Sequence, residues 1–165
     1  MATPPLDIRP IVPDEFRLLW PIFQAEVEAG ETYAYPADIG YEEARDLWTR
    51  PPARCWVASL DGAVVGGYFV RPSQIGRGDH VANAGYLVAA AARGRGIGGA
   101  LCEHSMEVAR QAGFQAMQFN FVVVTNEGAV RLWQRHGFAI VGRVPEAFRH
   151  PRHGLTDVFV MYRRL

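Results

Sequence analysis

Apolar positions alternate with polar ones in some stretches and recur every three or four residues in others, which divides the chain into short elements. The three-to-four spacing predicts helices over about 13–30, 41–48, 98–111 and 126–137. Alternating or continuous apolar runs predict strands over 6–9, 54–60, 63–70, 81–88, 115–124, 138–144 and 155–162. The segments 72–80 and 145–154 contain neither pattern and are predicted to be irregular connections.

The order of these elements, β-α-α-β-β-β-α-β-α-β-β, predicts an α/β fold with a mixed sheet. Asp61-Gly62 is a strong signal for a tight hairpin between two of the strands. The strand over 115–124 is rich in β-branched and aromatic residues, as in a central strand buried on both faces and parallel to a neighbour. We therefore expect antiparallel strands that lead into one β-α-β crossover, with helices on both faces, in a single domain over residues 1–165.

A glycine-rich segment, 92–101, carries the clearest chemical signal. It follows a predicted strand and opens a predicted helix, where unpaired backbone N–H groups and the helix dipole favour an anion. Glycine lets such a backbone approach a ligand closely. The segment therefore predicts a phosphate or pyrophosphate site.

Three known phosphate-binding motifs are glycine-rich loops of this kind, and the sequence excludes the first of them. A Walker-type loop requires a lysine, and all 17 basic residues of this chain are arginines. A dinucleotide fingerprint matches at Gly94, Gly96 and Gly99, but the next predicted strand carries no acidic residue to hold a ribose. The third motif, Arg-x-x-Gly-x-Gly, matches at Arg93, Gly96 and Gly98.

Composition narrows the classes of function. The formal net charge is zero and no long basic run occurs, so we expect no nucleic-acid partner. No apolar run is long enough for a membrane span and no secretory signal precedes the first strand, so a cytoplasmic protein without a membrane partner is expected. Cys55 and Cys102 lie in apolar contexts typical of buried free thiols, and no Cys/His cluster has the spacing of a metal site.

Two sequence blocks resemble the GCN5-related N-acetyltransferase (GNAT) superfamily. Arg93-x-x-Gly96-x-Gly98 is similar to the acyl-CoA pyrophosphate loop of that family, and Val88 precedes it at the family's spacing. The block 126–138, with Asn126, Ala129 and a terminal Gly-Phe, is similar to a second family motif. Within the superfamily the chain looks most like the phosphinothricin and methionine-sulfoximine acetyltransferase branch, because of the segment 31–35 and the approach to the last strand.

The resemblance implies an acetyl-CoA-dependent N-acetyltransferase that acts on the primary amine of a small molecule, such as an amino-acid analogue, by direct attack in a ternary complex. It implies a homodimer as well, and acetyl-CoA as co-substrate without a metal. The residues that it implies for binding acetyl-CoA are Leu87, Val88, Arg93, Gly94, Arg95, Gly96, Ile97, Gly98, Gly99, Asn120, Asn126 and Trp133.

The chain departs from the family at both proton-transfer positions. Trp133 stands where many members carry a tyrosine that acts as the general acid. Asn83 stands where the phosphinothricin branch carries a glutamate that acts as the general base. The catalytic candidates are Glu31 and Tyr33 of the aromatic loop together with Asn83 itself. His150 and His153, before the last strand, are alternatives, and a water relay stays open. The predicted acceptor residues are Tyr35, Tyr86, Arg149 and His150, with Arg149 and Arg152 placed to pair with a carboxylate.

Other functions remain compatible with the same sequence. A protein or peptide N-acetyltransferase would use the same loop, although no acidic run marks a peptide groove. A non-catalytic acyl-CoA-binding module would explain why the family's glutamate and tyrosine are absent. An NAD-linked enzyme would use the literal dinucleotide fingerprint.

Overall fold

The computed structural model describes residues 5–165, which are built around one seven-stranded mixed sheet. The spatial order is β1-β2-β3-β4-β5-β7-β6, and all neighbours are antiparallel except β4 and β5, which are parallel. This mixed α/β fold confirms the predicted class. The strands are β1 (Asp7–Pro10), β2 (Arg54–Leu60), β3 (Ala63–Pro72), β4 (Val81–Val88), β5 (Ala116–Val123), β6 (Ala139–His150) and β7 (Gly154–Arg164).

Helices cover both faces of the sheet. Helices α1 (Trp20–Ala29) and α2 (Tyr41–Thr49) enclose one core, and α3 (Ile97–Gln111) and α4 (Glu127–Arg135) enclose the other. The strands supply alternate residues to the two cores, because successive side chains of a strand point to opposite faces. Within residues 5–165, no helix combines the length and the apolar character that a membrane crossing requires.

The first predicted helix, over 13–30, is divided in two. Pro13–Leu18 forms a 3-10 helix, and α1 begins only at Trp20. Pro21 lies in the first turn of α1, where a proline removes no helical hydrogen bond and its fixed φ suits the helix. The proline therefore starts a new helix instead of kinking a continuous one, and Gly30, with φ of 67°, ends it.

The prediction of an irregular connection over 145–154 is wrong. Strands β6 and β7 form a long hairpin whose tip lies between His150 and Gly154. A bulge between Val144 and Phe148 accommodates Pro145, which cannot donate to the ladder, on what is the edge strand of the sheet. The Asp157 carboxylate fixes this bulge, since it accepts hydrogen bonds from Arg143 Nε at 2.6 Å and from the Glu146 backbone at 2.8 Å.

The two central strands separate after a short parallel contact. Register pairs join Val81 to Ala116 and Ala82 to Met117, and no pair follows toward the carboxyl ends. Beyond this point β4 stays paired with β3, and β5 stays paired with β7. The separation opens a cleft in the middle of the sheet.

Helix α1 and the sheet approach each other closely at Gly67 of β3. A Cβ there would lie 2.5 Å from the Trp56 carbonyl oxygen and 2.8 Å from Leu19 Cδ2. Leu19 is fully buried just before α1, so neither neighbour can move away without disturbing the core. Glycine at this position sets the distance between the helix and the sheet.

We predict that Gly67→Ala lowers the free energy of unfolding by about 1–3 kcal/mol, because the added methyl overpacks this contact. Gly128→Ala is the matched control, since a Cβ at that helical glycine meets nothing within 4 Å. Urea unfolding of both variants measures the difference. Equal midpoints for the two variants would contradict the predicted overpacking.

Candidate active site

The cleft between β4 and β5 has a volume of about 1110 Å³. One end lies at the glycine-rich loop before α3. The other end is enclosed by the loop between α1 and α2, the end of β3 and the tip of the β6–β7 hairpin. The cleft therefore joins a predicted phosphate site to a chamber made of aromatic and charged side chains.

The glycine-rich loop presents its backbone to the cleft. Gly94 and Gly96 have φ values of 75° and 78°, which favour glycine, and a Cβ at either position would meet nothing within 4 Å. Gly98 and Gly99 lie in the first turn of α3, where backbone N–H groups have no helical partner. These two glycines also let α3 approach α4, since a Cβ at Gly98 would lie 3.1 Å from Leu132 Cδ2.

The two arginines of this loop differ in position. Arg93 lines the cleft and forms an ion pair with Glu26 of α1, whose carboxylate also accepts a hydrogen bond from Thr32 Oγ1 at 3.0 Å. Arg95 is exposed and does not line the cleft. The structure thus brings one of the two predicted arginines to the site, together with Ile97, which is buried at its wall.

Strand β4 turns one backbone edge toward the cleft. The Tyr33 hydroxyl donates to the Tyr86 carbonyl at 2.7 Å and accepts from the Tyr86 N–H at 2.8 Å. On the opposite edge, the Ala89 N–H donates to β3. Because backbone groups alternate along a strand, the N–H and C=O of Val88 share the cleft edge with those of Tyr86, whereas Leu87 faces β3.

This alternation separates the two residues that the sequence placed against the cofactor. Val88 lines the cleft, and Leu87 does not; its side chain is buried in the core on the α1–α2 side. Of Leu87 and Val88, only Val88 therefore offers its backbone N–H and C=O to the cleft.

The opposite wall comes from β5 and α4. Asn126 caps α4, where its Oδ1 accepts a hydrogen bond from the Ala129 N–H at 3.3 Å. Trp133 is nearly buried and packs at a centroid distance of 4.9 Å against Tyr86, which belongs to the same core. Asn120 is exposed in the cleft, and its Oδ1 accepts from Gln118 Nε2 at 2.8 Å.

Two stacked tyrosines form the aromatic wall of the chamber. The rings of Tyr33 and Tyr35 are 5.2 Å apart, and the Tyr35 hydroxyl accepts a hydrogen bond from Trp48 Nε1 at 3.1 Å. Burial raises the pKa of both phenols. Because the Tyr33 proton is also donated to a carbonyl, this hydroxyl is poorly suited to act as a general acid.

Glu31 and Arg152 join the two segments that enclose the chamber. The Glu31 carboxylate, in the loop between α1 and α2, lies 2.5 Å from a guanidinium nitrogen of Arg152 at the hairpin tip. Both residues line the cleft. Glu31 is the predicted catalytic candidate whose side chain carries a carboxylate into the chamber.

His150 lies beside this ion pair with one fixed ring nitrogen. The imidazole is buried, and its Nδ1 accepts hydrogen bonds from the backbone N–H groups of Arg152 at 3.1 Å and His153 at 3.3 Å. An accepting Nδ1 leaves the proton of the neutral ring on Nε2. Since His150 lines the cleft, that nitrogen is available there as a hydrogen-bond donor.

Two other predicted residues have different surroundings from those expected. Asn83 lies at the cleft wall, but its amide nitrogen donates to the Gln118 carbonyl at 3.0 Å and so joins β4 to β5. Arg149 is exposed and lies outside the cleft, because it alternates with His150 along β6. The structure therefore does not place Arg149 where it could pair with a carboxylate of the acceptor.

Sequence reasoning missed Arg71, Phe69 and Glu26, all of which line the cleft. Arg71 was missed because the apolar pattern ended the strand at Val70, whereas β3 continues to Pro72. Alternation extended by two residues would have put Arg71 on the same face as Phe69. No local signal marked Glu26, since its position in the cleft follows from how α1 packs.

The cysteines are not nucleophiles for this site. Burial raises the pKa of Cys55 and of Cys102 to about 12, and neither residue lines the cleft. The thiolate is the reactive form of cysteine, so both thiols are inert at neutral pH.

The sequence profile of the acetyltransferase (GNAT) family matches residues 13–138, which include the glycine-rich loop, β4, β5 and α4. The chain belongs to the GNAT family. It is therefore an acetyltransferase by family, and the resemblance drawn from the two sequence blocks is confirmed.

Relatives and solved structures agree with this family membership. N-acetyltransferase aca1 of Schizosaccharomyces pombe is 30% identical over 152 residues, which cover 82% of this chain and 73% of the yeast protein. A GCN5-related N-acetyltransferase from Kribbella flavida is 47% identical with a TM-score of 0.91, and the match covers 97% of this chain and 98% of that one.

The phosphinothricin branch is similar in fold. A phosphinothricin acetyltransferase from Sinorhizobium meliloti, solved in complex with AcCoA, has a TM-score of 0.85 at 21% identity. The match covers 97% of this GNAT chain and 88% of that one. At this identity the likeness describes the fold alone.

Asn126 provides a test that separates a helix cap from a cofactor contact. We predict that Asn126→Ala lowers the free energy of unfolding by about 1 kcal/mol, because the cap is lost. Asn126→Asp keeps an accepting oxygen and should keep the stability. It removes the amide donor, so CoA should bind about three- to tenfold more weakly, as for one lost hydrogen bond.

Urea unfolding and calorimetric titration with CoA measure the two effects in the same variants. If Asn126→Asp binds CoA as tightly as the unchanged protein, Asn126 acts only as the cap of α4.

Proposed function

We propose that this GNAT protein transfers an acetyl group from acetyl-CoA to the primary amine of a small molecule, by direct attack within a ternary complex. The observation that carries the proposal is the separation of β4 from β5. It exposes a backbone edge that leads from the glycine-rich loop toward the chamber between the α1–α2 loop and the hairpin tip.

The cofactor end of the cleft fits acetyl-CoA, which supplies the acetyl thioester. The backbone of 94–99 and the first turn of α3 suit a pyrophosphate, since both present N–H groups without a Cβ in the way. Val88 offers one donor and one acceptor to an amide-containing arm in an extended conformation. A phosphinothricin acetyltransferase of the same fold was solved with AcCoA, which supports this assignment.

Backbone donors also suit the chemistry of acetyl transfer. Negative charge develops on the acetyl oxygen when an amine attacks, and a fixed N–H aimed at that oxygen lowers the barrier. The Val88 N–H lies on the correct edge of β4, held in place by pairing with β3 on the other side. In this proposal β4 binds the extended arm of acetyl-CoA and polarises the acetyl carbonyl with backbone groups alone, without a charged side chain.

An ion pair at the acceptor end favours a small molecule. The ion pair of Glu31 with Arg152 bridges the α1–α2 loop and the hairpin tip across the chamber. A peptide acceptor needs an open groove that continues past its amine, and this bridge interrupts that path. The stacked tyrosines add a flat wall suited to a compact ligand.

Direct attack is supported by the residues that the structure describes at the cleft, which include neither cysteine. Both cysteines are buried with raised pKa values, and the sequence contains no lysine. An acetylated enzyme is therefore not needed, provided that amine and thioester are held side by side. We assign Glu31 the role of general base, which removes a proton from the acceptor ammonium, with Arg152 orienting the carboxylate.

The direct test is release of free thiol from acetyl-CoA against a panel of amines, amino acids and short peptides. We expect turnover with small primary amines. Initial rates should give intersecting lines when both substrates are varied, because both must be bound before transfer. Parallel lines would contradict a ternary complex, and turnover restricted to peptides would contradict a small acceptor.

Replacing the base gives a second test. Glu31→Gln should lower kcat/KM at neutral pH by about 100-fold, the usual contribution of a positioned base. The deficit should shrink as the pH rises toward the pKa of the acceptor amine, because the amine then arrives without its proton.

Glu28→Gln is the matched control, since Glu28 is exposed on α1 and lies outside the cleft. It should retain the activity of the unchanged protein. A loss in Glu31→Gln that is the same at every pH would show that Glu31 does not act as the base.

A further inference from the structure

Arg71 occupies an unusual position for an arginine. It lies near the end of β3, in register with Asn83 of β4, and it lines the acceptor end of the cleft. The side chain is half-buried, and its guanidinium carbon lies 5.0 Å from the centroid of the Phe69 ring. Stacking on an aromatic face holds the planar group in place.

Two arginines that line the cleft have acidic partners, whereas within residues 5–165 neither Arg71 nor the exposed Arg135 at the end of α4 has one. Arg93 is paired with Glu26, and Arg152 is paired with Glu31. Within residues 5–165, Arg71 forms no ion pair and its side chain makes no hydrogen bond to protein. A positive charge that is half-buried, oriented and without a carboxylate favours an anionic ligand.

The position of Arg71 also relates it to the reacting end of the cleft. Phe69 lies over Gly85 of β4. A Cβ placed on Gly85 would be 2.5 Å from the Phe69 ring and 3.2 Å from the Tyr33 hydroxyl oxygen. The guanidinium therefore stacks on a ring that reaches the cleft edge of β4. The charge of Arg71 also acts on Tyr35. Burial raises the pKa of the Tyr35 phenol, and the positive charge of Arg71 opposes part of that rise.

The register of β3 and β4 places Arg71 beside the cleft edge of β4. Asn83, in register with Arg71, lies three residues before Tyr86, which corresponds to about 10 Å of extended strand. Stacking on Phe69, whose partner in β4 is Gly85, turns the guanidinium back along that distance. The guanidinium therefore lies nearer the level of Tyr86 along β4 than the Arg71 backbone does.

We infer that Arg71 is the specificity-determining residue of the acceptor site, and that it binds the carboxylate of an amino acid or a close analogue while the amine faces the thioester. The inference rests on the proposed function and names the substrate class of that site. A planar guanidinium can bind a carboxylate through two parallel hydrogen bonds, which fixes the direction of the ligand as well. Arg71 thus takes the role that the sequence had suggested for Arg149.

The test compares amino acids with their carboxamides, which keep the amine and the side chain but lose the negative charge. Methionine, alanine, phenylalanine and histidine with their four amides serve as acceptors for the unchanged protein, Arg71→Gln, Arg71→Lys and Arg77→Gln. Arg77 is the matched control, because it is exposed in the connection after β3 and lies outside the cleft.

We expect the unchanged protein to use acids better than amides. Arg71→Gln should raise KM for an acid at least tenfold and leave KM for its amide and for acetyl-CoA within twofold. Arg71→Lys should recover part of the loss, because it keeps the charge without the two-pronged geometry. Arg77→Gln should leave KM unchanged for both the acids and their amides.

Three outcomes would overturn the inference while the proposed function stands. These are equal losses for acid and amide in Arg71→Gln, turnover of amines without a carboxylate but of no amino acid, and an acid-specific loss in an additional variant, Arg152→Gln, instead of in Arg71→Gln. A fourth outcome, no turnover with any amine, contradicts the proposed function itself. Calorimetric titration of the CoA-saturated protein with N-acetylmethionine then decides the inference separately: binding that Arg71→Gln abolishes supports it, and no binding overturns it.

Discussion

The site depends on one constraint, which is that backbone N–H and C=O groups in the middle of a sheet need partners. Strands β4 and β5 separate after two register pairs, which leaves the cleft edge of β4 without a strand beside it. Tyr33, which is 53 residues away in sequence, fills one of these positions with its hydroxyl. The rest of that edge, at Val88, is available to a ligand with amide groups of its own.

The sheet must be stable on both sides of this gap for the edge to keep its shape. β4 is joined to β3 along its whole length, and β5 is joined to β7. The Asn83 side chain adds a bond from β4 to the Gln118 carbonyl at the point where the strands separate. Asn83 therefore acts at the base of the cleft as a connection between strands, which is a different role from that of a proton acceptor.

Charge is distributed unequally within the cleft. Two arginines at its rim have carboxylate partners, and these pairs lie where the enclosing segments meet. Arg71 is held by an aromatic ring instead of an acid. His150 presents a donor nitrogen nearby because two backbone N–H groups occupy the other one. The acceptor end therefore combines one carboxylate with donors suited to an anion, as a zwitterionic ligand requires. The homodimer implied by the resemblance stays a prediction.

The sequence by itself determined the order of the elements, the glycine-rich loop and the family, because these depend on local periodicity and on residues close together in the chain. It placed the strands and α2 to α4 correctly to within a few residues, except for the hairpin over 139–164, where a bulge absorbed Pro145. Only the tertiary structure decided which side chains face the acceptor. Arg71 enters the cleft because β3 runs two residues further than its apolar pattern, and Arg149 stays outside because alternation along β6 turns it away. Such choices depend on strand ends and register, which contacts between distant segments fix.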